Sequence, residues 1–339
     1  MLSRVADSLF WMARQTERAE NIARIVDVNL QLLLDYQKLD DKALKQHWEP
    51  LVVSLGDEEL FAKLHKKADS ANVTDFLTFN PKNPNSILMS VTAARENARS
   101  VRDQISQEMW EEINRLYLFV RARDAKKIWK QSPTAFYREV KQSSYLVQGL
   151  ANATMPRDER RQFFTAGLFL ERADKTTRLL DVKYHNLQAE VAGEAAASVD
   201  SVQWAAVLRS CSAYETYQQT YSTDILPWKV AELLIFNDSF PRSIRYCANT
   251  LDQSLRSISG STPGTFTREA ERISGRLLSE LNYSTLDDVL RLGLHDYLDE
   301  LQQKLNAIGS AIYTSYISHA TTSLEEEIQI QKQQQQQQQ

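Results

Sequence analysis

Apolar residues recur at three- and four-residue steps along most of the chain, which is the spacing of a helix that buries one face. The first run covers 2–34 and predicts one long helix with a bundle-type apolar seam. Similar runs predict further helices near 44–67, 86–104, 106–130, 133–150, 156–188, 201–220, 228–236, 241–258, 266–281 and 285–322. No segment shows the strict apolar–polar alternation of a β-strand, so we expect an all-α fold.

Several helix starts carry recognisable capping residues. Ser86 follows a segment with two prolines and is predicted to cap the next helix. Ser132 precedes Pro133, the order typical of an N-cap followed by the first helical residue. Ser284 and Asp287 are predicted to form an acidic variant of the capping box. These signals predict where three of the helices begin.

Composition and charge narrow the class of protein. Nine glycines and eight prolines make 17 of 339 residues, about 5% against an average of about 12%, which favours long helices over turn-rich β folds. A net charge of −4 argues against nucleic-acid binding. There is no apolar stretch long enough for a membrane span and no signal-peptide pattern, and two cysteines fit a reducing compartment. We therefore expect a cytoplasmic protein with neither a nucleic-acid nor a membrane partner.

The most informative feature is a repeated segment. Residues 17–28 (ERAENIARIVDV) and 171–182 (ERADKTTRLLDV) are identical at six of twelve positions, at an offset of 154 residues. Helical periodicity explains matched apolar residues but not matched Glu, Arg and Asp. The sequence therefore predicts a helical bundle built from two duplicated helical modules, 1–152 and 153–322.

Charged residues of the repeated segment form a stripe beside the apolar seam. At about 100° per residue, Glu17, Glu20, Arg24 and Asp27 lie within about 80° of one another. The corresponding positions of the second copy are Glu171, Asp174, Arg178 and Asp181. Arg18 and its counterpart in the second copy point to a different side of their helices, and periodicity assigns them no partner.

Several motifs resemble those of the bacterial alpha-E family, which is catalogued as a domain of unknown function. They are residues 1–4 (MLSR), 17–24 (ERAENIAR), 93–99 (AARENAR), 109–111 (MWE), 155–158 (MPRD), 208–215 (LRSCSAYE) and 240–243 (FPRS). Because the resemblance covers the chain to about residue 320, we expect one alpha-E-like domain over 1–322 and a Gln-rich, disordered tail over 323–339. The second copy departs from the first at 175–177, which leaves open whether it retains a functional site.

The resemblance implies partner proteins and a type of reaction as well as a fold. The family is typically encoded beside a circularly permuted ATP-grasp protein and a transglutaminase-like cysteine peptidase, which become the expected partners. Such a neighbourhood implies amide or peptide ligation and its reversal. We therefore expect a component of an ATP-grasp-linked ligation system that binds an amino acid, a peptide or a phosphorylated intermediate. Whether the protein is itself an enzyme stays open, as does its oligomeric state.

The functional interpretation of the two stripes is a polar cleft lined by both copies. The candidate catalytic residues, acting as acids, bases or metal ligands, are Glu17, Glu20, Glu96, Glu171 and Asp174. The candidate substrate-binding residues, which would hold a carboxylate or a phosphate, are Arg24, Arg99, Arg178, Arg242 and Arg245. No cofactor is assigned, and Mg²⁺ at the carboxylates is left open. The alternative is a non-catalytic scaffold or regulatory partner whose Glu and Arg residues form structural ion pairs.

Other chemistries lack their motifs. None of the five histidines has Glu three residues before it, which argues against a ferritin-like di-iron centre. The sequence contains neither the glycine-rich patterns that hold nucleotide phosphates nor the nucleophile elbow of hydrolases. Cys211 is expected to be a small buried side chain rather than a nucleophile.

Overall fold

The computed structural model describes residues 1–35, 41–123, 128, 132–189, 195–221 and 224–318. Within these ranges the chain forms fifteen α-helices and no β-strand, so the predicted all-α fold is confirmed. In chain order the helices are α1 (Ser3–Asp35), α2 (Asp41–Ser54), α3 (Glu58–Leu64), α4 (Ser70–Thr78), α5 (Ile87–Ser100), α6 (Gln107–Arg121), α7 (Pro133–Thr154), α8 (Glu159–Ala189), α9 (Ala195–Ser210), α10 (Tyr214–Tyr221), α11 (Pro227–Phe236), α12 (Ile244–Ser259), α13 (Glu269–Tyr283), α14 (Leu286–Leu292) and α15 (Leu294–Ile312). A π-helical turn, Tyr313–Ser318, extends α15. The predicted tail over 323–339 lies outside the described residues.

The strongest sequence signals mark helix starts correctly. The first helix, α1, covers the predicted span of 2–34 almost unchanged. Ser86 and Ser132 cap α5 and α7, because each side chain accepts a hydrogen bond from the backbone N–H three residues later. Ser243, which periodicity placed inside a helix, caps α12 in the same way. Capping residues therefore located the starts of α5 and α7, whereas hydrophobic spacing alone missed the start of α12.

Three predicted helices are divided in the structure at residues with positive φ. Gly56 (φ 74°) separates α2 from α3, Ser212 (φ 51°) separates α9 from α10, and Gly293 (φ 99°) separates α14 from α15. A right-handed helix does not continue through such a residue, and hydrophobic periodicity does not register the turn. The spans predicted as single helices over 44–67, 201–220 and 285–322 are therefore wrong.

Two smaller predictions are also wrong, and one helix has no counterpart among the predicted ones. The capping box belongs to Thr285 and Asp288, one residue later than predicted. The interval left between the predicted helices 156–188 and 201–220 is helical from Ala195 onward, since alanine has the highest helix propensity of any residue. The unpredicted helix is α4, which Asp69 caps.

The two longest helices, α1 and α8, lie side by side at the centre of the fold and run in the same direction. Phe10 faces Gly167, and Arg14 contacts Glu171 one turn further along both helices. A Cβ atom at Gly167 would lie 2.2 Å from the carbonyl oxygen of Phe10, so only glycine allows this approach. The close parallel contact brings the two copies of the repeated segment next to each other.

Other helices cover this central pair. The helices α5 and α7 pack against α1, and α12 and α15 pack against α8. The apolar core between them includes the fully buried side chains of Trp48, Phe76, Tyr137 and Trp204. The division into duplicated modules over 1–152 and 153–322 stays a prediction from the sequence. Among the helices of the described ranges, none combines the length and the apolar character of a membrane span.

Candidate functional site

The two Glu-Arg dipeptides of the repeated segment pair with each other across the contact between α1 and α8. Arg172 donates two hydrogen bonds to Glu17, from Nε to Oε1 at 2.7 Å and from Nη2 to Oε2 at 3.0 Å. Arg18 donates two to Glu171, from Nε to Oε1 at 2.6 Å and from Nη2 to Oε2 at 3.0 Å. Both carboxylates are fully buried. The two helices therefore exchange a matched set of bidentate ion pairs.

This exchange supplies the partners that periodicity did not assign to Arg18 and Arg172. Each arginine lies about 100° around its helix from the glutamate that precedes it. Because α1 and α8 run parallel, the arginine of one helix meets the glutamate of the other on both flanks of the contact. The polar interior is thereby divided into two groups, one around Glu17 and one around Glu171.

The Glu17 cluster consists of Glu17, Glu20, Arg24, Arg172 and Arg242. Arg242, from the turn before α12, donates to Glu17 at 2.9 Å and to Glu20 at 3.1 Å. Arg24 pairs with Glu20 one turn along α1, and its Nη2 also donates to the hydroxyl of Tyr145 at 2.8 Å. No member of the cluster is more than 8% exposed. These charges therefore interact inside the protein, where water screens them least.

Charges in the Glu17 cluster do not balance. Burial raises the pKa of Glu17, but Arg172, Arg242 and Arg24 outweigh that effect and lower the pKa to about 2. Burial and the nearby charge of Arg242 lower the pKa of Arg24 to about 10. The Nε of Arg24 has no hydrogen-bond partner among the described residues. Three guanidinium groups thus face two carboxylates, and one positive charge is in excess.

The Glu171 cluster consists of Arg14, Arg18, Glu171, Asp174, Lys175 and Arg178. Arg14 donates from Nε to Glu171 at 2.9 Å. Lys175 lies 3.1 Å from Asp174 and 3.7 Å from Glu171, and Arg178 donates to Asp174 at 3.0 Å. Burial raises the pKa of both carboxyl groups, but these cations lower it below the ordinary value in each case. Lys175 is one of the positions at which the second copy differs from the first, and its ammonium group adds a positive charge to this cluster.

Three predicted site residues lie outside both clusters. Glu96 is on α5, where it pairs with Arg95 and Arg99, and the side chains of Glu96 and Arg99 are 44% and 66% exposed. Arg245 donates to Asn282 of α13 at 2.9 Å. The structure places the other predicted site residues in the two buried clusters. The candidate site residues of the two copies thus occupy two clusters and not the one cleft expected from the sequence.

Five polar side chains that contact Glu17 or Glu171 were not among the predicted site residues: Arg14, Arg18, Gln148, Arg172 and Lys175. Gln148 donates to Glu17 and accepts from Arg172, both at 3.0 Å. The repetition of Glu-Arg in both copies was the available signal for Arg18 and Arg172. No sequence pattern marks Arg14 or Gln148, because α1, α7 and α8 bring them near the glutamates only when they pack together.

Metal-binding geometry is not found in the described part of the chain. Its residues contain no group of three or more His, Cys, Asp or Glu side chains placed to hold an ion. In both clusters the carboxylate oxygens face guanidinium or ammonium groups. A Mg²⁺ ion at the carboxylates stays a prediction from the sequence.

Cys211 lies in the core beside the Glu17 cluster. Burial raises the pKa of its thiol to about 12, although Arg242 and Arg24 act in the opposite direction. A thiol with that pKa is protonated at neutral pH. Cys211 is therefore a packed side chain and not an activated nucleophile, as its sequence context predicts.

The fold and the clusters together define a class of protein, an all-helical domain whose interior is tied together by Glu–Arg ion pairs. The chain belongs to the Alpha-E family, described as a predicted alpha-helical domain with a conserved ER motif, and the match covers residues 1–317. The dipeptides Glu17-Arg18 and Glu171-Arg172 fit that motif. The family resemblance found in the sequence is therefore confirmed.

The chain is also similar to larger mycobacterial proteins. Uncharacterized proteins of Mycobacterium bovis and of two Mycobacterium tuberculosis strains are each 25% identical to it over 321 residues. The similarity covers 90% of this chain and 35% of each relative, so the chain spans about a third of the length of the relatives it matches. No solved structure matches the chain.

Proposed function

We propose that this domain is a non-catalytic helical scaffold in an ATP-grasp-linked system for amide or peptide ligation. The observation that carries the scaffold role is the exchange of bidentate ion pairs between α1 and α8, with Glu17 and Glu171 fully buried. Breaking a buried ion pair leaves an uncompensated charge, so these pairs lock the two helices in one relative position. The family resemblance alone supports the setting and the two partners, a circularly permuted ATP-grasp protein and a transglutaminase-like peptidase.

The protonation state of Glu17 also supports a structural role. A general base needs a pKa near the working pH and an oxygen that can reach the substrate. The pKa of Glu17 is about 2, and its oxygens accept hydrogen bonds from two arginines and from Gln148. A carboxylate in this state is a weak base with both oxygens occupied.

The substitution Glu17→Gln tests the scaffold role. It leaves Arg172 and Arg242 buried without their counter-charge, so we expect the free energy of unfolding to fall by about 3–5 kcal/mol, measured by urea unfolding. Mass spectrometry then measures the amide product formed by the ATP-grasp protein co-expressed with the variant. The scaffold role predicts normal product per folded molecule. Loss of product from a variant of wild-type stability would contradict it and support catalysis.

One observation favours a second function, the binding of a small anion at the Glu17 cluster. The cluster has a positive charge in excess, and the Nε of Arg24 lacks a partner among the described residues. An amino-acid carboxylate or a phosphorylated intermediate would balance that charge. This function predicts that inorganic phosphate raises the melting temperature of the wild-type protein and not that of Arg24→Gln. Equal shifts in the two proteins would argue against it.

A further inference from the structure

A cleft of about 420 Å³ opens beside the Glu171 cluster, where α1 and α8 meet the end of α15. Its lining includes Trp11 and Arg14 of α1, Leu170 and Asp174 of α8, and Tyr313 of the π-helical turn. The volume lies within the range of about 300–1000 Å³ that is typical of small-molecule sites. The ion pairs that hold α1 against α8 do not require an open cavity at this position.

Arg14 is the charged side chain with free donors at this cleft. Its Nε donates to Glu171, but its Nη1 and Nη2 make no hydrogen bond to any residue of the described ranges. Glu171 already accepts a bidentate pair from Arg18, so the charge of Arg14 is only partly neutralised. The guanidinium of Arg14 also lies 4.7 Å from the centroid of the Trp11 ring, which orients it. Two donors are therefore available on a side chain that is already held in place.

The facing wall leaves this guanidinium accessible. Gly309 lies inside α15, although alanine would be about 1 kcal/mol more favourable in a helix. A Cβ atom at Gly309 would lie in van der Waals contact with Nη1 of Arg14, at 3.9 Å, so the absence of a side chain leaves this face of the guanidinium uncovered. The backbone that follows is π-helical over Tyr313–Ser318, a feature frequently found at functional sites. Tyr316 fixes this turn by donating to Glu271 at 3.0 Å.

The chemistry of the lining selects a class of ligand. A guanidinium with two free donors binds a carboxylate in a bidentate fork. Trp11 and Leu305 provide apolar surface beside it. Asp174 also reaches the cleft, but Lys175 and Arg178 already occupy its oxygens, so it offers little attraction to an ammonium group. The cleft therefore favours an acid without a free amino group.

We propose that this cleft, named the Arg14 cleft, binds a carboxylate that is attached to a compact apolar group and carries no ammonium. Two sources share this chemistry, the C-terminal residue of a peptide and a simple aryl or alkyl acid. The proposal goes beyond the scaffold role, because the ion pairs between α1 and α8 are complete whether or not the cleft is filled.

Isothermal titration of the full chain tests the proposal with three probes. N-acetyl-L-phenylalanine represents a peptide C-terminus, 3-phenylpropionate represents a simple acid, and N-acetyl-L-phenylalanine amide keeps the apolar group without the carboxylate. We expect at least one acid to bind at least about tenfold more tightly than the amide. The acid that binds more tightly identifies the source. Equal affinity for the amide, or no binding of either acid, would overturn the proposal.

Two variants locate the binding. Arg14→Gln removes the guanidinium that would hold the carboxylate, and Ser310→Trp places a large side chain in the cleft from an exposed position. Each variant is expected to weaken binding of the acid at least about tenfold. Arg291→Gln, at an exposed arginine of α14, is the control and is expected to keep wild-type affinity. Thermal unfolding shows whether Arg14→Gln remains folded, because Arg14 also pairs with Glu171. Ser310→Trp changes no ion pair, and wild-type affinity in that variant would overturn the proposal.

Discussion

Single side chains decide how α1 and α8 fit together. Glu17 and Glu171 are fully buried acids, and each takes an arginine from the opposite helix. A buried carboxylate without such a partner would destabilise the fold strongly. Glu96 and Arg99 form an ion pair at the surface, where water screens the charges and the contribution is small. Burial, more than residue type, sets the importance of an ion pair in this protein.

The substitution Glu171→Gln is expected to lower the free energy of unfolding by about 3–5 kcal/mol, because it removes the anion that faces Arg14, Arg18 and Lys175. The matched control is Glu96→Gln, which is expected to change it by less than about 1 kcal/mol. Urea unfolding followed by circular dichroism measures both. Effects of equal size would show that the Glu171 cluster is not a structural lock.

Among the helices, the backbone contact between α1 and α8 positions the charges. Gly167 allows α8 to approach the carbonyl of Phe10, and the contact of Arg14 with Glu171 follows one turn later. Any residue larger than glycine at this crossing would push the helices apart. The ion pairs therefore depend on a glycine that carries no charge itself.

Two glycine variants test this dependence. Gly167→Ala is expected to lower the free energy of unfolding by about 3 kcal/mol, because its Cβ atom would overlap the backbone of Phe10. Gly149→Ala is the control in α7, where a Cβ atom meets nothing within 4 Å, and helix propensity predicts a gain of up to about 1 kcal/mol. Thermal and urea unfolding measure the two changes. Stabilisation by Gly167→Ala would refute the close approach of α1 and α8.

Turns between helices complete the two clusters. Gly56 and Ser212 both have positive φ and end α2 and α9 close to an arginine of a cluster. Arg178 donates to the carbonyl of Ser54 at 3.4 Å, and Arg24 donates to the hydroxyl of Ser212. Two of the three breaks that divide the predicted helices therefore also contact the charged interior.

Across the whole molecule, ionised carboxylates at the centre couple stability to pH. The pKa of Glu17 in the folded protein is about 2, below the ordinary value of 4.5. Neighbouring cations also lower the pKa of Glu171 and Asp174. A carboxyl group with a lowered folded-state pKa adds stability above its ordinary pKa and loses that contribution as the pH falls toward the lowered value.

We therefore expect the free energy of unfolding to decrease as the pH falls from about 4.5 toward about 2. Urea unfolding at a series of pH values in this window measures the slope. The slope should be shallower for Glu17→Gln and unchanged for the surface control Glu96→Gln. A wild-type stability that stays constant across the window would contradict the ionised state of the buried carboxylates.

Much of the fold follows from local signals, and the exceptions have a common cause. Periodicity predicts α1 because its apolar face continues without interruption along the 33 residues of the helix. Side-chain capping predicts the start of α5 at Ser86. The ends at Gly56, Ser212 and Gly293 are not predicted, because one residue with positive φ stops a helix without changing the apolar spacing around it.

Local properties of the chain were enough to establish that it is helical and that acids and arginines recur at matched positions on two long helices. They were not enough to show that Glu17 pairs with Arg172 and Glu171 with Arg18. These partners are 155 and 153 positions apart in the chain. Their pairing depends on the parallel direction, close approach and burial of α1 and α8, which arise from packing and leave no mark in the spacing of residues along either helix.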